Sequence, residues 1–240
     1  MYPTSAIVIG RLSVGEADRI LTLITPQYGK LRVSAKGVRK IKSRLAGHLE
    51  LFSKVNLTLA KGRNIDVITS AQSVGGFEGI ATDYNRLDLA YLMAMMIDKL
   101  SLEGEQQKDL YELAEEYLDF LGNCRFLELI ELGFKLRLLN ILGYLPVLSA
   151  CVVCGYDKED GNYYLNTELG GIVDDKCRGT LDFEMNNSAI KLWRLALMLP
   201  LSKLEDIVGA ENIALTTLDY CDSFYEYQFG KRYSRGLLGV

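Results

Sequence analysis

A chain of 240 residues, 49% hydrophobic and 24% charged, has the composition of an ordinary folded protein with apolar material for one or two cores. No apolar run approaches the roughly 18 residues of a membrane helix, and the opening MYPTSAIVIGRL lacks both the basic start and the apolar stretch of a secretory signal, so a cytoplasmic protein is expected. The formal net charge of −4 conceals an asymmetry: residues 1–78 carry twelve Lys/Arg against five Asp/Glu, a net of +7, which leaves −11 for the remainder. Charge divided in this way points to two modules with different partners.

Residues 1–78 have the pattern of strands. Ala6–Leu12 is an apolar, β-rich run, and Arg19–Thr25 alternates up to Pro26, with Gly29 completing a turn. Leu31, Val33 and Ala35 alternate with Arg32, Ser34 and Lys36, a period of two. Leu49–Ala60 is a longer strand, and Lys61–Asn64 is a hairpin turn into Ile65–Ala71. Five short strands in about 75 residues suit an OB-type barrel, which binds oligonucleotides across a sheet face and its rim loops. An SH3-like barrel is the alternative that strand counting leaves open.

The stretch Lys30–Arg44 holds seven cations (Lys30, Arg32, Lys36, Arg39, Lys40, Lys42 and Arg44) and no Asp or Glu. Like charges this dense repel one another unless a polyanion neutralises them. The alternation places Lys30, Arg32 and Lys36 on a strand face. Arg39, Lys40, Lys42 and Arg44 fall on a mobile arm expected to order on a polyanion. Lys61 and Arg63, in the basic hairpin turn, join them as candidates. Tyr28 and Phe52 are the nearby aromatics available for base stacking, and Phe52 reads as core.

From Ala81 the pattern becomes helical. Tyr84–Leu100, Leu110–Leu121 and Phe126–Leu142 have apolar residues at helical spacing, and Gly143-Tyr-Leu-Pro146 stops the third. Met93, Met95 and Met96 read as core filling. Ser188–Leu199 and Asn212–Phe229 return to helix after a break at 147–180. Within the break, Cys151-Val-Val-Cys154-Gly155 has the spacing of a zinc knuckle, and Asp174 stands three residues before Cys177, where the second pair of a four-ligand site would begin. A Cys3Asp zinc site (Cys151, Cys154, Asp174, Cys177) and a degenerate, metal-free knuckle are both open, with Asp175 as a substitute ligand. Cys124 and Cys221 lie in helical patterns as small core residues.

Nothing in the chain frames a catalytic site. His48-Leu-Glu50 and the Cys-x-x-Cys superficially match a zinc deaminase, but about a hundred residues separate them and Ala150 replaces the expected proline. The two Gly-Lys pairs are followed by Leu31 and Arg232, so no Walker A loop exists. A non-enzyme is expected.

The segments Gly15-Glu-Ala-Asp-Arg19, Gly29, Ala35-Lys-Gly-Val-Arg-Lys40, Lys42-Ser-Arg44 and Leu49-Glu-Leu-Phe52, with the Cys-x-x-Cys-Gly and Gly170-Gly171 elements, resemble the RecO family of bacterial recombination mediators in order and spacing. The resemblance implies an α+β protein: an OB-fold domain (1–78) followed by an α-helical domain (79–240) that carries a zinc-finger-like insertion (147–180). It implies binding of single- and double-stranded DNA, annealing of complementary strands, work with RecR, contact with the acidic C-terminal tail of single-strand binding protein, and help in loading RecA. Nucleoid association would follow. Arg125, Lys135, Arg137, Lys191 and Arg194 are the helical-domain cations that such a tail would seek. The chain departs from the family at Asp174, where zinc-bearing members carry Cys. Two readings outside this family are an RNA-binding or ribosome-associated adaptor, and a zinc-ribbon scaffold for protein partners.

Overall fold

The computed structural model describes residues 1–105, 107–157, 161–180 and 182–236. Five strands, β1 (Tyr2–Val14), β2 (Asp18–Thr25), β3 (Gly29–Ala35), β4 (Ser53–Ala60) and β5 (Asp66–Gly76), close into a barrel of order β1-β2-β3-β5-β4. All neighbours are antiparallel except β3 and β5, which run parallel through Val33–Asp66 and Ser34–Val67. That closure is the OB topology, and it removes the SH3-like alternative. β1 serves two neighbours because it bends: Tyr2–Ile7 pair with β4, a register shift falls between Val8 and Gly10, and the rest pairs with β2. A bulge of this kind sharpens strand curvature, as a small barrel requires.

The interior follows the period-two pattern. Ala6, Val8, Leu21, Leu23, Val33, Ala35, Val55, Leu57, Leu59 and Ile68 form the core, with Leu31 packed against it. The strand expected from Leu49 starts later. Residues 46–48 form a short 3-10 turn, and Phe52 has φ 56, a left-handed conformation that no strand sustains. Its N–H nevertheless donates to Val8 O at 2.8 Å, and Leu49 is buried. The apolar run is therefore core material delivered by a turn.

Two helices, α1 (Tyr84–Leu100) and α2 (Lys108–Leu121), belong to the same compact unit as the barrel, which comprises residues 1–122 and residue 236. Asp83 caps α1 by accepting the Arg86 N–H, and Met93 and Met96 are buried in its packing face. Gly29 shows how closely the α1–α2 connection approaches the barrel. Its φ is 60, and a Cβ there would stand 1.8 Å from Glu105 O. Gly29→Ala combines a left-handed backbone with a collision against main chain. It is expected to cost about 2 kcal/mol or more, measured as a lower urea midpoint at unchanged m-value.

The second unit spans residues 123–235. Helix α3 (Leu127–Leu142) packs against α4 (Asn187–Met198), the short α5 (Leu201–Leu204) and α6 (Ala210–Phe229). The Trp193 indole N–H donates to Thr217 Oγ1 at 3.0 Å, and the Tyr225 hydroxyl donates to Lys135 O at 2.8 Å. Between α3 and α4 lies a three-stranded sheet of order β7-β6-β8, built from β6 (Tyr163–Asn166), β7 (Gly171–Asp174) and β8 (Phe183–Met185). Phe183 stacks on Tyr220 of α6 with ring centroids 4.8 Å apart. Residues 158–160 of this insertion lie outside the described residues. None of the described helices is long and apolar enough to cross a membrane.

Candidate nucleic-acid interface and metal centre

The seven-cation stretch divides differently from the expected strand face and arm. Lys30 is 4% exposed, and its ammonium donates to the carbonyls of Asp98 and Ser101, both at 2.6 Å. It satisfies the C-terminal carbonyls of α1 and complements that end of the helix dipole. Burial lowers its pKa, while the charge of Asp98 pushes the other way. Its assignment as a polyanion contact is corrected: a buried, doubly engaged ammonium cannot reach a phosphate. Arg32 remains partly exposed but is engaged by Asp98 at 2.9 Å and Glu103 at 3.9 Å. The hydrogen bond to Asp98 raises its pKa. This part of the β3 face is therefore occupied by the end of α1 and the residues after it.

The next residues form folded turns rather than the expected mobile arm. Lys36 pairs with Asp18 at 3.0 Å, and Asp18 also accepts the Gly37 N–H at 2.7 Å. That N–H bond, then Lys36, holds the Asp18 carboxyl below its ordinary range. Arg39 ties the loop to the β1–β2 turn twice, through its main-chain N–H to Ala17 O at 2.9 Å and its guanidinium to Gly15 O at 3.0 Å. The Gly15–Arg19 and Ala35–Lys40 segments are thus two sides of one structure. Beyond that anchor, main-chain bonds from Lys40 to Gly37 and from Ser43 to Lys40 turn the chain outward. Lys40, Lys42 and Arg44 are exposed, and their charged groups have no hydrogen-bond or ion-pair partner among the described residues.

Lys61 and Arg63 are also exposed and without such partners among the described residues, but on the β4–β5 turn. Because β5 starts parallel to β3 with Asp66 beside Val33, this turn lies toward the Gly29 end of β3, and the 36–44 loop leaves the other end. The nine candidates are therefore carried by one strand and two separate loops. Tyr28 packs edge-on against Tyr2, and Phe52 is buried against Tyr91. His48 Nδ1 accepts the Ser73 N–H, and Glu50 pairs with Arg11. Both belong to the barrel unit, whereas the cysteine cluster belongs to the second unit.

The four cysteine-segment residues do converge. The ligand atoms of Cys151, Cys154, Asp174 and Cys177 all lie within 4.8 Å of one another. Two short turns present them. Gly155 N–H donates to Cys151 O at 2.9 Å in the first, and Cys177 N–H to Asp174 O at 3.0 Å in the second. The turns are joined by Val152 N–H to Ile172 O, and Val147 brackets Gly170 and Ile172. A tetrahedral zinc with thiolates at about 2.3 Å sets its ligand atoms roughly 3.3–3.8 Å apart. Three sulfurs and one carboxylate gathered within 4.8 Å suit a single metal ion, which would draw the widest pair about 1 Å closer. Burial, then contact with Cys154 and Cys151, pushes the Cys177 thiol up to about 12. Asp175 is turned to another task, accepting the Tyr164 hydroxyl at 3.0 Å.

Of the helical-unit cations, Lys135 is fully buried with Glu131 at 2.6 Å and Asp222 at 2.5 Å, which corrects its assignment as a surface contact. Arg137 donates to the Ala196 and Leu199 carbonyls at the end of α4, Arg194 to Leu148 O, and Arg125 pairs with Glu205. Lys191 is exposed and has no such partner among the described residues. The carboxylates and carbonyls that claim these cations are distant in sequence, and no local pattern announces them. The exception is Glu131, four residues before Lys135 on one helix face.

The chain matches the family described as Recombination protein O N terminal over residues 1–77 and Recombination protein O C terminal over residues 81–236. It is 37% identical over 203 residues to DNA repair protein RecO of Roseiflexus sp. (strain RS-1), covering 84% of this chain and 71% of that protein. DNA repair protein RecO of Dehalococcoides mccartyi is 34% identical over 194 residues, 80% of this chain and 77% of the relative. That of Bifidobacterium adolescentis is 37% identical over 177 residues, 72% of each. With both halves of the family matched and relatives this similar over most of their length, the chain belongs to the RecO family.

Proposed function

We propose that this protein is a recombination mediator that binds single- and double-stranded DNA without sequence preference, anneals complementary strands, and works with RecR to load RecA on DNA coated by single-strand binding protein. The observation that carries the DNA-binding reading is the trio of exposed cations Lys40, Lys42 and Arg44, without hydrogen-bond or ion-pair partners among the described residues, on one loop of a segment with net charge +7. Lys36 and Arg39 stand at the base of that loop and complete the contact. Lys61 and Arg63, on the turn toward the other end of β3, supply a second one. Phosphate contacts of this kind position a strand without reading its bases, as an annealing factor needs. Neutralising both strands also lowers the repulsion that keeps them apart.

The metal centre holds zinc in a structural role, and no bond-making chemistry is assigned to it. Its surroundings do not extend the DNA interface: residues 151–182 carry seven Asp/Glu against three Lys/Arg. For the acidic tail of single-strand binding protein, exposed Lys191 is the cation on α4 that remains available, with Arg194 three residues on. The protein has no catalytic activity of its own and acts in the cytoplasm, at the nucleoid.

Salt-dependent binding tests the reading. If Lys36, Arg39, Lys40, Lys42 and Arg44 each neutralise one phosphate of a single strand, log K falls against log salt with a slope of about −3.5. Complementary oligonucleotides are expected to anneal faster with the protein present. Binding to RNA in clear preference to DNA, without annealing, would transfer the protein to the RNA-adaptor class. Absence of nucleic-acid binding at low salt would leave the zinc-ribbon scaffold.

A further inference from the structure

The two turns of the metal centre are built alike, although one begins with a cysteine and the other with an aspartate. In the first, the main-chain N–H groups of Cys154 and Val153, three and two residues ahead, face the Cys151 sulfur. In the second, Asp174 Oδ1 accepts the N–H groups of Lys176 at 2.8 Å and Cys177 at 3.0 Å, again two and three residues ahead. One carboxylate oxygen thus fills the acceptor role that sulfur fills in the first turn. The other oxygen, Oδ2, is directed into the cluster and lies 2.9 Å from Cys154 Sγ. The Asp174 main-chain N–H also reaches back to the Cys151 sulfur, so the two turns brace each other.

From this geometry we infer that Asp174 is a one-oxygen metal ligand, Oδ2, in a three-sulfur, one-oxygen site that exchanges zinc readily instead of locking it in place. This inference rests on reading the centre as a zinc site. Two physical points carry it. First, Oδ1 is already committed to two amides, which restrains the carboxylate from clasping an ion with both oxygens. Second, replacing one thiolate by a harder oxygen donor weakens the hold on a borderline-soft ion.

The frame has main-chain ties of its own besides the ligand set. The β6–β7 pairing runs from Tyr163–Asp174 to Asn166–Gly171, and the Val147–Gly170, Ile172–Val147 and Val152–Ile172 main-chain bonds hold both turns. Leu165, Ile172 and Val173 are buried beneath them. Cys154, by contrast, is exposed, so one edge of the donor set faces solvent. A pre-formed frame with an open edge permits an ion to leave and return without unfolding its surroundings.

The test compares the full-length protein with Asp174→Cys and Asp174→Asn. Zinc content after dialysis, zinc release to a chromogenic chelator, and the cobalt(II) absorption spectrum are read on each. The wild type is expected to bind one zinc per chain and to show a tetrahedral cobalt spectrum with weaker sulfur-to-metal charge transfer than Asp174→Cys. Asp174→Cys is expected to release zinc at least about 10-fold more slowly. Asp174→Asn keeps an oxygen for the two amides but loses the anionic donor. It is expected to bind zinc about 10- to 100-fold more weakly while its far-ultraviolet circular dichroism stays unchanged.

Zinc affinity of Asp174→Asn equal to wild type would overturn the ligand assignment and leave the zinc reading intact. Release from wild type as slow as from Asp174→Cys would overturn the exchange claim. A wild type that takes up neither zinc nor cobalt would overturn the zinc reading itself, and the inference with it.

Discussion

Replacing Lys40, Lys42 and Arg44 together by Glu is expected to lower affinity for single-stranded DNA about 100-fold or more at 50 mM salt, and to make the salt slope shallower by about 2. The three side chains are exposed and make no ion pair or hydrogen bond among the described residues, so their reversal breaks nothing within the fold. Thermal stability should stay near that of wild type, because surface substitutions away from structural contacts usually change stability little. Lys30→Met supplies the contrast. It removes the ammonium that satisfies the Asp98 and Ser101 carbonyls, and is expected to cost about 1–3 kcal/mol while leaving the salt slope unchanged. Two lysines ten residues apart in one basic stretch should thus fail in different ways. Wild-type affinity and slope in the triple reversal would remove this loop from the interface.

That contrast marks how far the sequence can be read. Alternation over Leu31, Val33 and Ala35 identifies the barrel interior correctly, since period two is a property of the strand itself. Helices α1, α2, α3, α4 and α6 fall within two residues of their expected limits because caps and stops such as Asp83 and Gly143 are local signals. The fate of a cation is not local. Lys30 and Lys36 both alternate with core positions, yet one is buried under the end of α1 and the other is exposed beside Asp18. The deciding partners lie 68 and 18 residues away.

The same limit separates the two candidate sites. Cys151, Cys154, Asp174 and Cys177 were legible as a set because each ligand pair sits on a turn of fixed length, and β6–β7 pairing then brings the turns together. The nine candidate DNA contacts had no comparable constraint and are scattered between two ends of one strand. Phe52 was legible as core but not as a break in the strand, since only Gly and Asn advertise a left-handed backbone.

In the second unit, Lys135→Met is expected to destabilise the protein by about 3–5 kcal/mol, a large part of the 5–15 kcal/mol typical of a folded domain. The ammonium is fully buried, with Glu131 and Asp222 on either side, and Arg235 from the chain's end pairs with Glu131 at 2.8 Å and with Glu128 at 2.9 Å. Removing Lys135 leaves Asp222 charged and unpaired in a site where burial already raises its pKa. The penalty should be greatest from neutral pH up to the Lys135 titration and shrink in acid, as the carboxyl takes up a proton. Wild type behaves in the opposite sense at high pH. Burial lowers the Lys135 pKa, but Glu131 and Asp222 outweigh that and raise it above 10.5. Its stabilising contribution is therefore complete below the unfolded value and is lost as pH rises through the folded one.

If Lys135→Met does not fold, Glu131→Gln and Asp222→Asn added to it should restore folding, because the set then has no unpaired buried charge and Arg235 retains Glu128. Urea unfolding across pH 5–9 on the single and triple variants measures both effects. A single variant whose deficit is the same at every pH would show that Lys135 acts by filling space rather than by its charge.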